Sequence, residues 1–199
     1  MGRRIAFFDF DGTLTRGDTF WGFHVHCFGW PRACAASVSA VASAVMSMRL
    51  DRSFMKERFI RSLWAGTARE MYIALARGYA RSEIDKNVMP RAMRVFKRHL
   101  ELGDTVYIVT ASMRDWVAFW AERYNAEVIG TELEVEDGLL TGRMATPNCR
   151  GAEKVARIKE AVDLSEYETI FAYGNSEGDR AMLGIADEAV YNWDRIPEL

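Results

Sequence analysis

The chain has little cysteine. Its 199 residues contain three, Cys27, Cys34 and Cys149, an odd set with no Cys-x-x-Cys pair. That argues against a disulfide framework and a thiolate zinc site, and points to a reducing compartment. Excess charge is missing too: 26 basic residues stand against 28 acidic ones, for a net charge of -2, and neither sign forms a long block. Nothing electrostatic therefore recommends a nucleic-acid partner. A secretory leader is not expected, because the apolar run behind Gly2-Arg3-Arg4 meets Asp9 too soon; the expected location is cytoplasmic. There is no internal repeat and no low-complexity linker. The stretch "ACAASVSAVASAVMSM", between Arg32 and Arg49, is sixteen residues without formal charge. It falls short of the roughly 20 apolar residues that span a bilayer. A buried helix within a helical domain is the expectation, and an interfacial helix in contact with a membrane, or a partner-binding helix, is the less favoured reading.

What is present is the pattern of one sizeable α/β core with a smaller appended unit. "RIAFFDF" (4–10), "TVYIVT" (105–110), "AEVIG" (126–130), "TIFAY" (169–173) and "EAVYN" (188–192) are short, apolar and rich in β-branched or aromatic residues. They read as buried strands. Helical stretches over 113–124, 151–162 and 177–185 alternate with them, which implies βαβ units and a parallel sheet. Two segments break the alternation. Residues 17–88 contain no convincing strand and at least three helical segments. "TELEVEDGLLTGRM" reads as a hairpin turning at Asp137-Gly138. The expected organisation is an α/β core of residues 1–16 and 89–199, with a helical cap of residues 17–88 inserted after the first strand.

Ligands of open parallel sheets bind at the C-terminal ends of the strands. There the sequence places Asp9 and Asp11, then Thr110 and Ser112, then Asn175 and Asp179, with Lys154 near the start of a helix. Close carboxylates are costly to bury without a cation. Mg²⁺ suits them, since it takes oxygen ligands and usually keeps waters and a substrate phosphate. A lysine, a hydroxyl and the backbone N–H groups of a helix expected to open after Thr110, that of Ala111 first, suit phosphate oxygens. Together the set describes phosphoryl transfer through an aspartyl-phosphate.

"DFDGTLT", the hydroxyl in "YIVTAS", the lysine of "GAEKV" and "YGNSEGD" resemble, in order, the four motifs of the haloacid dehalogenase superfamily. The helical insert resembles the C1 cap of its phosphoserine-phosphatase-like branch, subfamily IB, and the chain is also similar to bacterial phosphatidylglycerophosphatase C relatives. The resemblance implies a Rossmann-like parallel sheet and a Mg²⁺-dependent phosphatase acting on a small-molecule phosphate ester. In that pattern Asp9 is the nucleophile and Asp11 the general acid and then base. Asp9, the backbone carbonyl of Asp11 and Asn175 hold the metal, Asp179 holds its waters, and Thr110, Ala111 and Lys154 meet the phosphoryl group. Many members carry Asp where this chain has Asn175, so the site has one negative charge fewer.

Plainer roles stand beside these. Ser112 opens "SMRD", a capping-box pattern that suits a helix N-terminus better than chemistry. Asp18 lies nine residues after Asp9, where phosphoserine phosphatases carry an acid that meets the substrate amine, but it suits an N-cap equally well. Arg58 or Arg61 could meet a substrate carboxylate from the cap or lie on a solvated helix face. His24 and His26, among aromatic residues, read as packed side chains. The expected substrate is a small polar metabolite such as a phosphoserine-like or histidinol-phosphate-like ester. A lipid headgroup phosphate is the alternative, and a phospho-ligand sensor without turnover is a third.

Overall fold

The computed structural model describes residues 2–195. Strand β1 (Arg4–Phe8) is the middle of a five-stranded, wholly parallel sheet, with β2 (Thr105–Met113) on one side and β6 (Thr169–Gly174) on the other. Strand β3 (Glu127–Thr131) lies outside β2 and β7 (Glu188–Tyr191) outside β6. Ile5, Ala6, Phe7 and Phe8 are all fully buried, as a strand covered on both faces requires. The period of two sends Ala6 and Phe8 into one apolar cluster and Ile5 and Phe7 into another. The chain order reverses about β1, so the crevice at the ends of β1, β2 and β6 is the topological switch point.

Between β1 and β2 come α1 (Thr19–Met46), α2 (Arg52–Trp64), α3 (Arg69–Ser82), α4 (Ile84–Asn87) and α5 (Pro90–Glu101). Helix α1 bends at Gly29, which has φ 76° and precedes Pro31 by two residues. The inserted helices leave and rejoin the core side by side. Thr15 bridges to Val88, the Arg16 N–H donates to the Asn87 carbonyl (2.8 Å), and the Met89 N–H donates to the Leu14 carbonyl (2.8 Å).

After β2 follow α6 (Arg114–Ala121), the hairpin of β4 (Leu133–Glu136) and β5 (Leu139–Met144), then α7 (Ala152–Ala161) and α8 (Arg180–Leu183). Asp137 and Gly138 both have positive φ at the hairpin turn, as its two-residue connection demands.

Three local expectations need correction. The stretch expected as a helix over 177–185 begins as a 3₁₀ turn, Glu177–Asp179, because a capping box between Ser176 and Asp179 winds it tightly. No helix opens straight after Thr110: β2 runs on to Met113 through a register shift, and α6 starts at Arg114 with no side-chain cap. The uncharged stretch is helical but only half buried. Ala33, Ala36, Ala40 and Ala44 face inward, while Val38, Val41 and Val45 are exposed.

Candidate active site

Asp9 leaves the end of β1 with its N–H still paired to the Tyr173 carbonyl of β6 (2.9 Å). The next turn is tied back on itself, since the N–H groups of Leu14 and Thr15 both donate to the Phe10 carbonyl (2.9 and 3.0 Å). Gly12 makes that turn at φ 81°. A Cβ there would lie 2.0 Å from Nδ2 of Asn175, so only glycine lets the first and last motifs approach.

A buried polar layer lies beneath the crevice. Lys154 Nζ, 1% exposed, donates to Asp9 Oδ1 (2.7 Å), Asp179 Oδ1 (2.6 Å) and the Val109 carbonyl (2.6 Å). Thr13 Oγ1 donates to the other Asp9 oxygen, Oδ2 (3.0 Å). Asp179 Oδ2 accepts from Ser176 Oγ (2.7 Å) and from the N–H groups of Ser176 (2.9 Å) and Asn175 (3.2 Å). Thr110 Oγ1 accepts from the Ser112 N–H (3.0 Å). Two carboxylates thus share one lysine. Burial raises the Asp9 carboxyl above its ordinary value against the pull of Lys154. Burial also works against Asp179, but Lys154 and the Ser176 bonds outweigh it and hold that carboxyl low. For Lys154, burial favours the neutral amine, and the two aspartates overcome it and hold the ammonium charged.

Above this layer opens a cavity of about 700 Å³ whose walls include Asp11, Gly12, Asp18, Phe20, Ala111, Ser112, Asn175 and Ser176. Asp11 Oδ2 accepts from Ser112 Oγ (2.6 Å) and Oδ1 from the Thr19 N–H (2.6 Å). Burial, then the charge of Asp18, lifts its carboxyl to about 6 in spite of those bonds. Asp18 accepts from the Trp21 N–H (3.1 Å) as the N-cap of α1 and also lines the cavity, so both readings of it meet in one residue. Ser112 belongs to the site and not to a helix cap, because β2 carries it past Thr110 to face Asp11.

The inserted helices also bring Arg52 and Lys56 to the cavity, two residues that sequence reading did not single out. Lys56 of α2 donates to the Ala111 carbonyl and to Asn148 Oδ1 (2.8 Å). Burial pulls its amine down to about 8 against the attraction of Asp11 and Asp18. Arg16, Arg52 and Arg150 also line the cavity. Arg58 and Arg61, the cap arginines singled out from the sequence, line a separate surface hollow with Arg49 and Glu57. The sequence signal was slight: Arg52 and Lys56 stand at i, i+4 on α2, a spacing that any solvated helix face also shows. His24 is packed among aromatic rings, and burial lowers its imidazole to about 3. The thiol of Cys149 is buried and pushed up, which leaves it inert.

The residues suit a divalent cation. Asn175 Oδ1 is buried and has no hydrogen-bond partner, a cost that native structures rarely leave standing. It belongs to the loop whose Gly174 N-terminal neighbour and Asp179 pack so tightly that a Cβ at 174 would lie 2.5 Å from Cβ of Asp179. Asp9 and Asp179 set two carboxyl groups against the single ammonium of Lys154, and Asp11 adds a third nearby. An unpaired amide oxygen beside carboxyl groups that outnumber their one ammonium is an oxygen donor set of the kind that Mg²⁺ prefers. Among the described residues no group of three or more His, Cys, Asp or Glu side chains could hold a metal. An amide and a backbone carbonyl fall outside such a group.

Comparison with known proteins agrees with this geometry. The family model of haloacid dehalogenase-like hydrolases matches residues 6–184. Protein CicA of Caulobacter vibrioides is 34% identical over 191 residues, covering 94% of this chain and 85% of its own. Phosphoserine phosphatase SerB2 of Mycobacterium tuberculosis is 25% identical over 189 residues, 92% of this chain but 42% of that longer protein. Among solved structures, a protein of unknown function from Bordetella pertussis Tohama I superposes with a TM-score of 0.79 at 23% identity, over 96% of this chain and 90% of its own. The chain belongs to the haloacid dehalogenase-like hydrolase family.

Proposed function

We propose that the protein is a Mg²⁺-dependent phosphomonoesterase that forms an aspartyl-phosphate on Asp9 and acts on a small polar phosphate ester. The observation that carries this reading is the Asp9 carboxylate at the end of β1, held on one oxygen by Lys154 and on the other by Thr13. A nucleophile needs that fixed orientation. An Asp9 oxygen attacks phosphorus and the ester P–O bond breaks. The leaving oxygen takes the proton of Asp11, whose carboxyl near 6 suits a group that must give and regain one. Asp11 then takes a proton from water, the water oxygen attacks phosphorus, and Asp9 and inorganic phosphate separate. Asp9, the Asp11 carbonyl and Asn175 Oδ1 would hold Mg²⁺, with Asp179 placed to hold its waters. The ion supplies charge neutralisation for the phosphoryl oxygens. Lys154 and Thr110 orient the phosphoryl cradle, with Ala111 at its edge.

The cavity's charges favour a zwitterionic ester. Asp18 stands beside Asp11 on one wall, and Lys56 and Arg52 supply cations on another. A panel of phosphorylated metabolites, with phosphorylated lipids in detergent as a second arm, tests the substrate by phosphate release. An acid-quenched sample should carry one phosphoryl group on the peptide that contains Asp9. Turnover without that adduct in rapid-quench samples would remove the covalent step.

Lys56 gives a pH signature. Its ammonium persists below about 8 and is lost above it. KM for esters carrying a carboxylate should therefore rise as pH passes 8, and Lys56→Arg should abolish that rise, because guanidinium stays charged. A KM equally flat in both proteins would separate Lys56 from the substrate.

Asn175 reports on the metal. Asn175→Ala removes the orphan oxygen and should raise the Mg²⁺ concentration for half-maximal rate by about tenfold or more. Asn175→Asp, adding one negative charge, should lower it. Mg²⁺ titrations of initial rate and of thermal stability check both variants, and an alanine variant that titrates like the native protein would exclude Asn175 as a ligand.

A further inference from the structure

The second half of α1 is built inside out for a lone molecule. Its small residues, Ala33, Ala36, Ala40 and Ala44, pack inward against the chain, while its larger apolar residues point to solvent. Val38 is 70% exposed, Val41 52% and Val45 61%, with Met46 and Met48 more exposed still. A solvated helix carries its charges outward, yet no charged residue lies between Arg32 and Arg49. Exposed apolar faces of this extent mark contact surfaces.

The spacing of the stripe says what kind of contact. Within the helix, Cys34, Val38, Val41 and Val45 follow one another at gaps of four, three and four, and Met48 lies in the turn beyond its end. That is the alternation by which one helix sets its side chains between those of a second helix. Beside the stripe Ala35, Ser39 and Ala42 are small and exposed, which permits close approach of another backbone. With Trp30 and Met46 on the helix and Met48 and Leu50 just beyond it, the exposed apolar surface approaches the roughly 800 Å² that a standard interface takes from each partner. Within the stripe no cation is present to attract an anionic lipid surface, since the basic residues lie only at its two ends. The flanking Arg32 lies over the Phe28 ring (4.8 Å), and Arg49 lies over Phe54 (4.5 Å) and near Asp51 (3.8 Å).

We propose that this face is covered by the same face of a second copy, giving a two-fold dimer through paired α1 helices. The centre of the helical stripe falls between Val38 and Val41, so Val41 lies near the axis and within reach of its own counterpart. The interface leaves the cavity walls of each copy untouched, since none of the stripe residues lines it.

The test is sedimentation velocity on the full chain at tens of micromolar, native against the Val38→Glu/Val41→Glu variant. The native protein should sediment as a dimer. The variant should be a monomer with unchanged far-ultraviolet circular dichroism and unchanged turnover of a chromogenic phosphate ester. A second measurement does not depend on the acidic variant folding: Val41→Cys in a Cys34→Ser background should give a disulfide-linked dimer on mild oxidation, which Cys34→Ser alone should not. A native monomer overturns the proposal, including one that floats with anionic phospholipid vesicles, which would make a membrane the partner. A dimer that survives both glutamates, or failure of Val41→Cys to cross-link, overturns it too.

Discussion

Asp9→Asn should leave a folded protein whose phosphate release has fallen by about 10⁴-fold or more, because an amide cannot form the acyl-phosphate. The substitution is near-isosteric and removes a carboxylate that burial already disfavours, so loss of turnover without loss of fold is the expected pair of results. Asp11→Asn provides the contrast. It keeps the nucleophile and removes the proton carrier, at a cost of about 10²–10⁴. It should also stabilise the metal-free protein at neutral pH. The Asp11 carboxyl rises from 3.8 to about 6 in the fold. The folded state therefore holds this proton more tightly than the unfolded chain does. The stability so contributed is complete below pH 3.8 and is lost as pH climbs through 6. Asn at 11 escapes that loss, a gain of up to about 3 kcal/mol above pH 6. Chemical denaturation at pH 4 and pH 7.5 checks the sign: the gain should appear only at the higher pH. Full turnover by the Asp9 variant would end the covalent mechanism.

Lys154→Met should be the most destabilising single change in the site. It leaves the Asp9 and Asp179 carboxylates buried together with no cation, and removing one partner of a buried ion pair costs about 3–5 kcal/mol. The loss should shrink when Asp9→Asn is added, because the unpaired charge is then reduced to that of Asp179. Urea unfolding of the single variants and the double variant closes the cycle. If Lys154→Met stays within about 1 kcal/mol of the native protein, the lysine is no counterion.

Much of the core was legible because it is local. Strands buried on both faces read as short apolar runs, and the motif residues sit where those runs end, as with Asp9 after Phe8 and Asn175 after Gly174. What escaped is tertiary. Lys56 sits on an ordinary amphipathic helix, and only the folding of α2 over the ends of the strands brings it to the Ala111 carbonyl. Ser112 carries a sound capping pattern that is overridden because β2 continues three residues past Thr110 and turns the hydroxyl toward Asp11. The uncharged stretch misled for another reason. Lack of charge shows that a helix avoids water but not which neighbour shields it, and here alanine took the inner face and valine the outer.

Phe23 of α1 is stacked between Trp64 of α2 and Trp116 of α6, at centroid distances of 5.6 and 4.4 Å. The Trp116 indole also donates to Thr19 Oγ1 (3.3 Å), and Arg69 of α3 is paired with Asp115 (2.6 Å). Swinging the inserted helices away would pull Phe23 from Trp116 and break a two-point ion pair at once. These contacts resist the opening of the inserted helices. A ligand too large for the standing cavity would have to break the Phe23–Trp116 stack and the Arg69–Asp115 pair together, so the cost of opening is itself a filter on size.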